Sequence, residues 1–145
     1  GNLQIPEVRG LLFSKLAAMQ EKGVACRLEA LYPIVAVEMD VWDFVRCLGI
    51  LTDNALEAAL ETEQPWVDII LLAQGRQVFL QVSNPYQNRI DPERMWKEGW
   101  STKGAGRGLG LSSYQHILEG YPNASPCTRW ENGVFVQELT VEESA

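Results

Sequence analysis

Val8, Leu11, Leu12, Leu16 and Met19 recur at helical spacing near the start of the chain. They lie between Pro6, which suits a first helical turn, and Gly23, which can end a helix. The period then changes: Val24, Cys26, Leu28 and Ala30 alternate with Ala25, Arg27, Glu29 and Leu31, as in a half-buried strand. Asp40 is well placed to cap a second helix, whose apolar stripe of Phe44, Leu48, Leu51, Ala55 and Ala59 runs to about Leu60. A different stripe of that helix carries Ile50, Asn54, Glu57 and Glu61.

Two hairpins follow. Val67, Ile69, Leu71 and Ala73 alternate, as do Val78, Leu80 and Val82, on either side of the turn Gln74-Gly75-Arg76-Gln77. Thr128–Glu131 and Val134–Val141 flank Asn132-Gly133, a strong type I′ turn signal. Between the hairpins the periodicity stops, from Asn84 to Arg107, and Gly, Pro, Asn and Lys surround Trp96 and Trp100. So long a loop in a compact domain is usually functional or disordered. Gly108 to about Glu119 reads as a third helix, ended by Gly120 and Pro122. The order helix, strand, helix, hairpin, loop, helix, hairpin predicts an α+β domain. It is a two-layer α/β sandwich with a mixed, mostly antiparallel sheet and the helices on one face.

At 145 residues, 46% of them hydrophobic, the chain is long enough for one domain with a real core, residues 1–145. No run approaches the ~18 apolar residues of a membrane span, and no signal peptide is visible. The opening around Leu3–Val8 does not read as a natural start, so a piece of a longer protein is expected. The net charge is −7, with Lys and Arg scattered; without a basic face, nucleic acid is not an expected partner. Phosphate would have to be held by backbone N–H groups and a few local cations. Cys26, Cys47 and Cys127 are odd in number and lack CxxC spacing, which argues against disulfides or zinc and fits a reducing compartment. Cys26 and Cys47 lie in apolar patterns and read as core residues.

Two segments carry chemistry. Lys103-Gly104-Ala105-Gly106-Arg107-Gly108-Leu109-Gly110-Leu111 sets bare backbone before a helix, where N–H groups and the positive end of the helix dipole favour an anion. It matches neither GxGxxG nor the Walker A spacing. In the second, Asn54 stands mid-helix, where propensity disfavours it, beside an apolar stripe, where an amide must find a partner. An amide oxygen there can ligate Mg²⁺ shared with nucleotide phosphates.

Together these segments resemble the GHKL superfamily, which includes gyrase, Hsp90, MutL and the histidine kinases. Asp53-Asn54-Ala55-Leu56-Glu57-Ala58 resembles its N-box, and Gly106-Arg107-Gly108-Leu109-Gly110-Leu111 its second glycine box. Gly99-Trp100-Ser101-Thr102-Lys103 is similar to the Gly-Phe-Ser-Thr-Lys that precedes that box in several histidine kinase branches. The resemblance implies a Bergerat-type fold binding ATP and Mg²⁺, with transfer of the γ-phosphoryl to a histidine on a separate phosphoacceptor and dimerisation domain, then to a response regulator. It implies that Asn54 binds Mg²⁺, that the neighbouring acid Glu57 acts through a metal-bound water or on the phosphates, and that Lys103 reaches the terminal phosphate. The backbone of Gly106, Gly108, Leu109 and Gly110 would admit the phosphates, with the Leu109 and Leu111 side chains packing. The parent would be a membrane protein of the peptide-pheromone, quorum-sensing type with this domain in the cytoplasm. A serine kinase acting as an anti-sigma factor and a non-catalytic scaffold are the rival readings.

Two positions depart from the family pattern. Where Asp-x-Gly-x-Gly should contact adenine, the chain has Val82-Ser83-Asn84-Pro85-Tyr86. Asn84 can accept the same hydrogen bond without charge assistance, and pheromone-type kinases similarly tend to have Asn here. Ile50 replaces the Glu of hydrolytic members and the Asn of many kinases, so no base prepares water and hydrolysis should be slow. His116, the sole histidine, reads as a surface or half-buried helix residue rather than a phosphoacceptor. Lys15 and Lys22 read as solvated, and Trp42, Trp66 and Trp130 as core or rim aromatics.

Overall fold

The computed structural model describes residues 1–87 and 105–144, with the backbone alone over 105–109. The elements run α1 (Pro6–Glu21), β1 (Ala25–Leu31), α2 (Val41–Ala59), β2 (Trp66–Gln74), β3 (Gln77–Pro85), α3 (Ala105–Glu119), β4 (Ala124–Glu131) and β5 (Val134–Val141). One five-stranded sheet has the order β1-β2-β3-β5-β4. β1 and β2 are parallel, joined through α2, and every other pair is antiparallel.

Local chemistry sets the element ends. Pro6 opens α1, and past its end Gly23, at φ 75°, lets the chain reverse so that Val24 N–H returns to the Met19 carbonyl at 2.9 Å. The Asp40 carboxylate accepts from the Trp42 and Asp43 N–H groups at 2.9 and 3.2 Å, capping α2 as expected. Gln74 pairs with Gln77 across the two-residue turn Gly75-Arg76. Asn132 (φ 50°) and Gly133 (φ 79°) have the two positive φ values of a type I′ turn.

On β2 and β3 the buried hydrophobic residues, Val67, Ile69, Leu71, Val78, Leu80 and Val82, all face one side. Val8, Leu12 and Met19 of α1, the stripe Phe44, Leu48, Leu51, Ala55 and Ala59 of α2, and Tyr114 and Leu118 of α3 close on them as one core. The helices therefore occupy one face, as the pattern predicts. Ala58, Tyr86, Leu111 and Phe135 form a second, smaller cluster between the sheet and the helices, flanked by Trp130.

The structure differs from the sequence reading at several ends. α3 begins at Ala105, three residues before Gly108, so Gly106 and Gly108 lie within its first turns rather than ahead of it. Their low helix propensity hides this start in the sequence. β3 continues through Asn84 and Pro85, which pair with Phe135 and Val134 of β5. β4 begins at Ala124 and carries Pro126 on the sheet edge, where a missing N–H costs no ladder bond. Trp42 is 61% exposed and belongs to no core. Lys15 is solvent-accessible as expected, and at the surface its ammonium also meets the Asp53 carboxylate at 2.8 Å. Trp96 and Trp100 lie outside the described residues.

Candidate functional site

The site forms where α2 and α3 face each other. The two helices run antiparallel: Gly110 of α3 lies against Ile50 and Asn54, while the Tyr121 hydroxyl beyond the other end of α3 donates to the Asp43 carboxylate near the start of α2. That hydrogen bond is the main reason the Tyr121 hydroxyl is held above its ordinary pKa. The antiparallel arrangement directs the glycine-rich start of α3 toward the second half of α2, where Asn54 and Glu57 lie.

At the seam between the helices Gly110 presents bare backbone to Ile50 and Asn54. A Cβ built there would stand 3.7 Å from Ile50 Cγ2 and 3.9 Å from Asn54 Oδ1. Asn54 is half-buried, and its Nδ2 is buried with no hydrogen-bond partner among the described residues. An orphaned amide donor inside a folded domain is costly and calls for a missing acceptor. The Asn54 side chain thus offers one oxygen at the seam and one unused donor beside it. Thr52, its neighbour on the core side, is satisfied internally, its hydroxyl donating to the Leu48 and Gly49 carbonyls at 2.8 and 3.0 Å.

Glu57 is half-buried three residues further along α2. Asn84 sits elsewhere, at the end of β3 on the face shared with Val82, and is 2% exposed. Its Nδ2 donates to the Pro85 carbonyl at 2.9 Å. Its cross-strand neighbour Phe135 belongs to the small cluster with Ala58, Tyr86 and Leu111, which joins the end of β3 to both helices of the seam. Tyr86 and Phe135 meet edge to face, with centroids 6.0 Å apart at 67°.

Among the sequence-predicted residues, Asn54 and Gly110 are brought together directly, and Leu111 packs as expected. Gly106, Gly108 and Leu109 are placed only by the backbone of α3, and Lys103 with Gly99–Thr102 lies outside the described residues. His116 projects into solvent, its side chain 86% exposed and its Nδ1 3.2 Å from Glu119 Oε1. Two features of the surroundings were missed. One is Tyr86, an aromatic directly after the end of β3. The other is the Lys15–Asp53 ion pair beside Asn54, whose partners are too far apart in sequence to betray each other. All three cysteines are free. Burial pushes the Cys47 thiol up to about 12.

No helix among the described residues is long and apolar enough to cross a membrane. Residues 39–142 match the family described as the GHKL domain. The sensor protein CitS of Bacillus subtilis (strain 168) is 27% identical over 118 residues, which cover 77% of this chain and 21% of that protein. The chain thus spans about a fifth of the curated relative it matches. The catalytic domain of the histidine kinase ThkA, in a nucleotide-free form, superposes with a TM-score of 0.78 at 22% identity, covering 95% of this chain and 91% of that one. The mycobacterial sensor histidine kinase MprB gives 0.72 at 12% identity, over 92% of both chains. Full-length ShkA in complex with AMPPNP gives 0.68 at 21% identity, over 93% of this chain and 30% of that one. The family match runs from the turn before α2 to the end of β5 and contains the whole α2–α3 seam, so the chain belongs to the GHKL domain family and has the fold of a sensor histidine kinase catalytic domain.

Proposed function

We propose that this chain is the ATP-binding catalytic domain of a two-component sensor histidine kinase and that it supplies the γ-phosphoryl for histidine phosphorylation. One observation carries the reading: Asn54 and Gly110 meet across the α2–α3 seam, an amide with an unpaired donor beside a backbone stripped of its side chain. The likeness to CitS, named as a sensor protein, and to kinases including one solved with the ATP analogue AMPPNP supports it. ATP would lie with its phosphates at the seam and its base toward the cluster of Ala58, Tyr86, Leu111 and Phe135.

Mg²⁺ fits the donor set. No group of three or more His, Cys, Asp or Glu among the described residues could hold a metal by itself. Mg²⁺ needs no such cage, because it commonly takes one or two protein oxygens and completes its shell with water and phosphate. Asn54 Oδ1 would hold it, and its chemistry there is to neutralise phosphate charge. Asn54 Nδ2 then has a phosphate oxygen to donate to. Glu57 orients water near the phosphates, and Lys103 neutralises the terminal one. The glycine backbone of α3 adds N–H donors at the positive end of the helix. Catalysis in such a site is mostly positioning and charge stabilisation.

Ile50 shapes the outcome. It is apolar, packs on the core and faces Gly110, so the seam holds no base four residues before Asn54 to activate water. The acceptor is instead a histidine nitrogen on the helical phosphoacceptor domain of the parent, which attacks the γ-phosphorus as ADP leaves. The phosphoryl then passes to an aspartate of a response regulator. Asn84 in place of an acid favours the peptide-pheromone, quorum-sensing branch, whose parents are membrane-embedded with this domain in the cytoplasm.

Thermal melting of the chain with Mg·ATP tests the binding step, because a ligand of the native state raises the melting point by mass action. Adding γ-labelled ATP and the parent's phosphoacceptor domain tests the transfer. Label on a histidine of that domain is expected, with none on this chain alone. Label on a sigma-factor antagonist would favour the serine kinase, and no nucleotide-dependent shift would favour a scaffold.

A further inference from the structure

The helices pack on one face of the sheet, and among the described residues no element covers the other. An antiparallel sheet face left to water is expected to be polar. Near the ends of β1 and β2 it is not. Leu72 of β2 points away from the helices and pairs with Leu31 of β1 on one side and Phe79 of β3 on the other. Phe79 pairs in turn with Thr140 of β5, and Thr140 with Ser125 of β4. A whole row across the sheet is therefore uncharged. Its three apolar members belong to neither core cluster: Leu31 is exposed, and Leu72 and Phe79 are half-buried.

Tyr32 extends this row. It stands at φ 65°, a conformation that bulky residues seldom adopt, and is 69% exposed. Beside it Pro33, Leu72, Ala73 and Gly75 help to line a hollow of about 480 Å³. A projecting ring next to a hollow is self-complementary, because a two-fold axis beside Tyr32 puts each ring into the other copy's hollow. Charge favours the same occupant. Two chains of net charge −7 repel each other except where a contact is compensated. In the next row the carboxylates of Glu29 and Glu138 are each paired, with Arg27 and with Arg129. At the hairpin turn beyond, Arg76 lies between Glu38 and Glu143. A strongly charged partner has little to grasp here, and a second copy has little to avoid. We infer that this chain pairs with a second copy of itself through the open sheet face, the Tyr32 of each seated in the hollow of the other over the row Leu31, Leu72 and Phe79. These residues offer on the order of 500 Å² per copy, so a pair buries about 1,000 Å², the size of a transient interface rather than a permanent one. Nothing in this depends on the nucleotide reading: the α2–α3 seam lies in the other layer and stays open in the pair.

The test is sedimentation equilibrium of this chain from ~10 μM to ~1 mM. The wild type should form a reversible dimer with a dissociation constant on the order of 100 μM, and Tyr32→Asn should weaken it by about tenfold or more. Asn suits the positive φ, so that variant loses the ring and keeps the fold, which a thermal melt checks. Leu72→Lys, which sets a charge in the row, should weaken the dimer as well and decides the matter if Tyr32→Asn does not fold. Phe13→Ser, at an exposed position of α1 in the helical layer, should leave it unchanged. Added salt should hold or tighten the dimer by screening the repulsion between two acidic copies. A wild type still monomeric at ~1 mM would overturn the inference and leave the face to a different partner. So would a dimer that neither Tyr32→Asn nor Leu72→Lys weakens, one that Phe13→Ser weakens as much, or one that salt dissociates.

Discussion

Gly110 is the position where stability and function should part. A methyl group there would stand 3.7 Å from Ile50 Cγ2 and 3.9 Å from Asn54 Oδ1, ordinary contact distances that force nothing to move. Gly110 lies in the interior of α3, where glycine costs roughly 0.5–1 kcal/mol relative to alanine through its greater backbone freedom when unfolded. Gly110→Ala should therefore stabilise the apo fold by about that amount, a rise in melting temperature of roughly 3 °C for a domain of this size. The same methyl intrudes beside the oxygen proposed to hold the metal. A Mg²⁺ at about 2 Å from Oδ1, with its remaining ligands around it, needs the space that the methyl would fill. Binding should fall by about tenfold or more, about 1.4 kcal/mol on the scale that relates affinity to free energy. Differential scanning calorimetry without ligand, then titration with Mg·ATP, reads both signs on one preparation. A less stable apo protein would refute the packing argument. A more stable protein that binds Mg·ATP as tightly as the wild type would show that the ligand does not enter the seam.

Further outcomes follow from the same geometry. Asn54→Asp keeps an oxygen for the metal but removes the unpaired Nδ2 donor, so in Mg·ATP titrations it should lose affinity; an equal affinity would mean that the donor is never used. Asp40→Ala should destabilise the fold by about 1 kcal/mol in urea denaturation, because two N–H groups of α2 lose their acceptor. Lys15→Ala should cost at most about 1 kcal/mol in the same assay, since Asp53 of the pair is 56% exposed and solvent screens the charges. With a thiol reagent at pH 8, Cys127 should react first and Cys47 only on unfolding. A thiol pushed up to about 12 holds almost no thiolate below that pH, and its full burial blocks the reagent as well.

The sequence by itself marked most of the elements and singled out the residues of the candidate site. Periods of 3.6 and 2 mark α1, α2 and both hairpins, because burying one face requires apolar residues at those spacings. Asp40 and Asn132-Gly133 mark a cap and a turn through chemistry that acts within a few residues. Asn54 and the glycine segment stood out because each is a poor choice for an ordinary helix. Readings failed where long-range contacts override local preference. Gly106 and Gly108, poor helix formers, concealed the first turn of α3. Ser83, Asn84 and Pro85 concealed the end of β3, which exists because β5 pairs with it. The Lys15–Asp53 pair and the Tyr86–Phe135 contact leave no local trace. Only the tertiary structure decided that Gly110 meets Asn54 across two helices, and that the Pro85 carbonyl takes the Asn84 amide. Periodicity fixes which residues share a face, but which faces meet depends on the packing of the whole core, where contacts distant in sequence are chosen together.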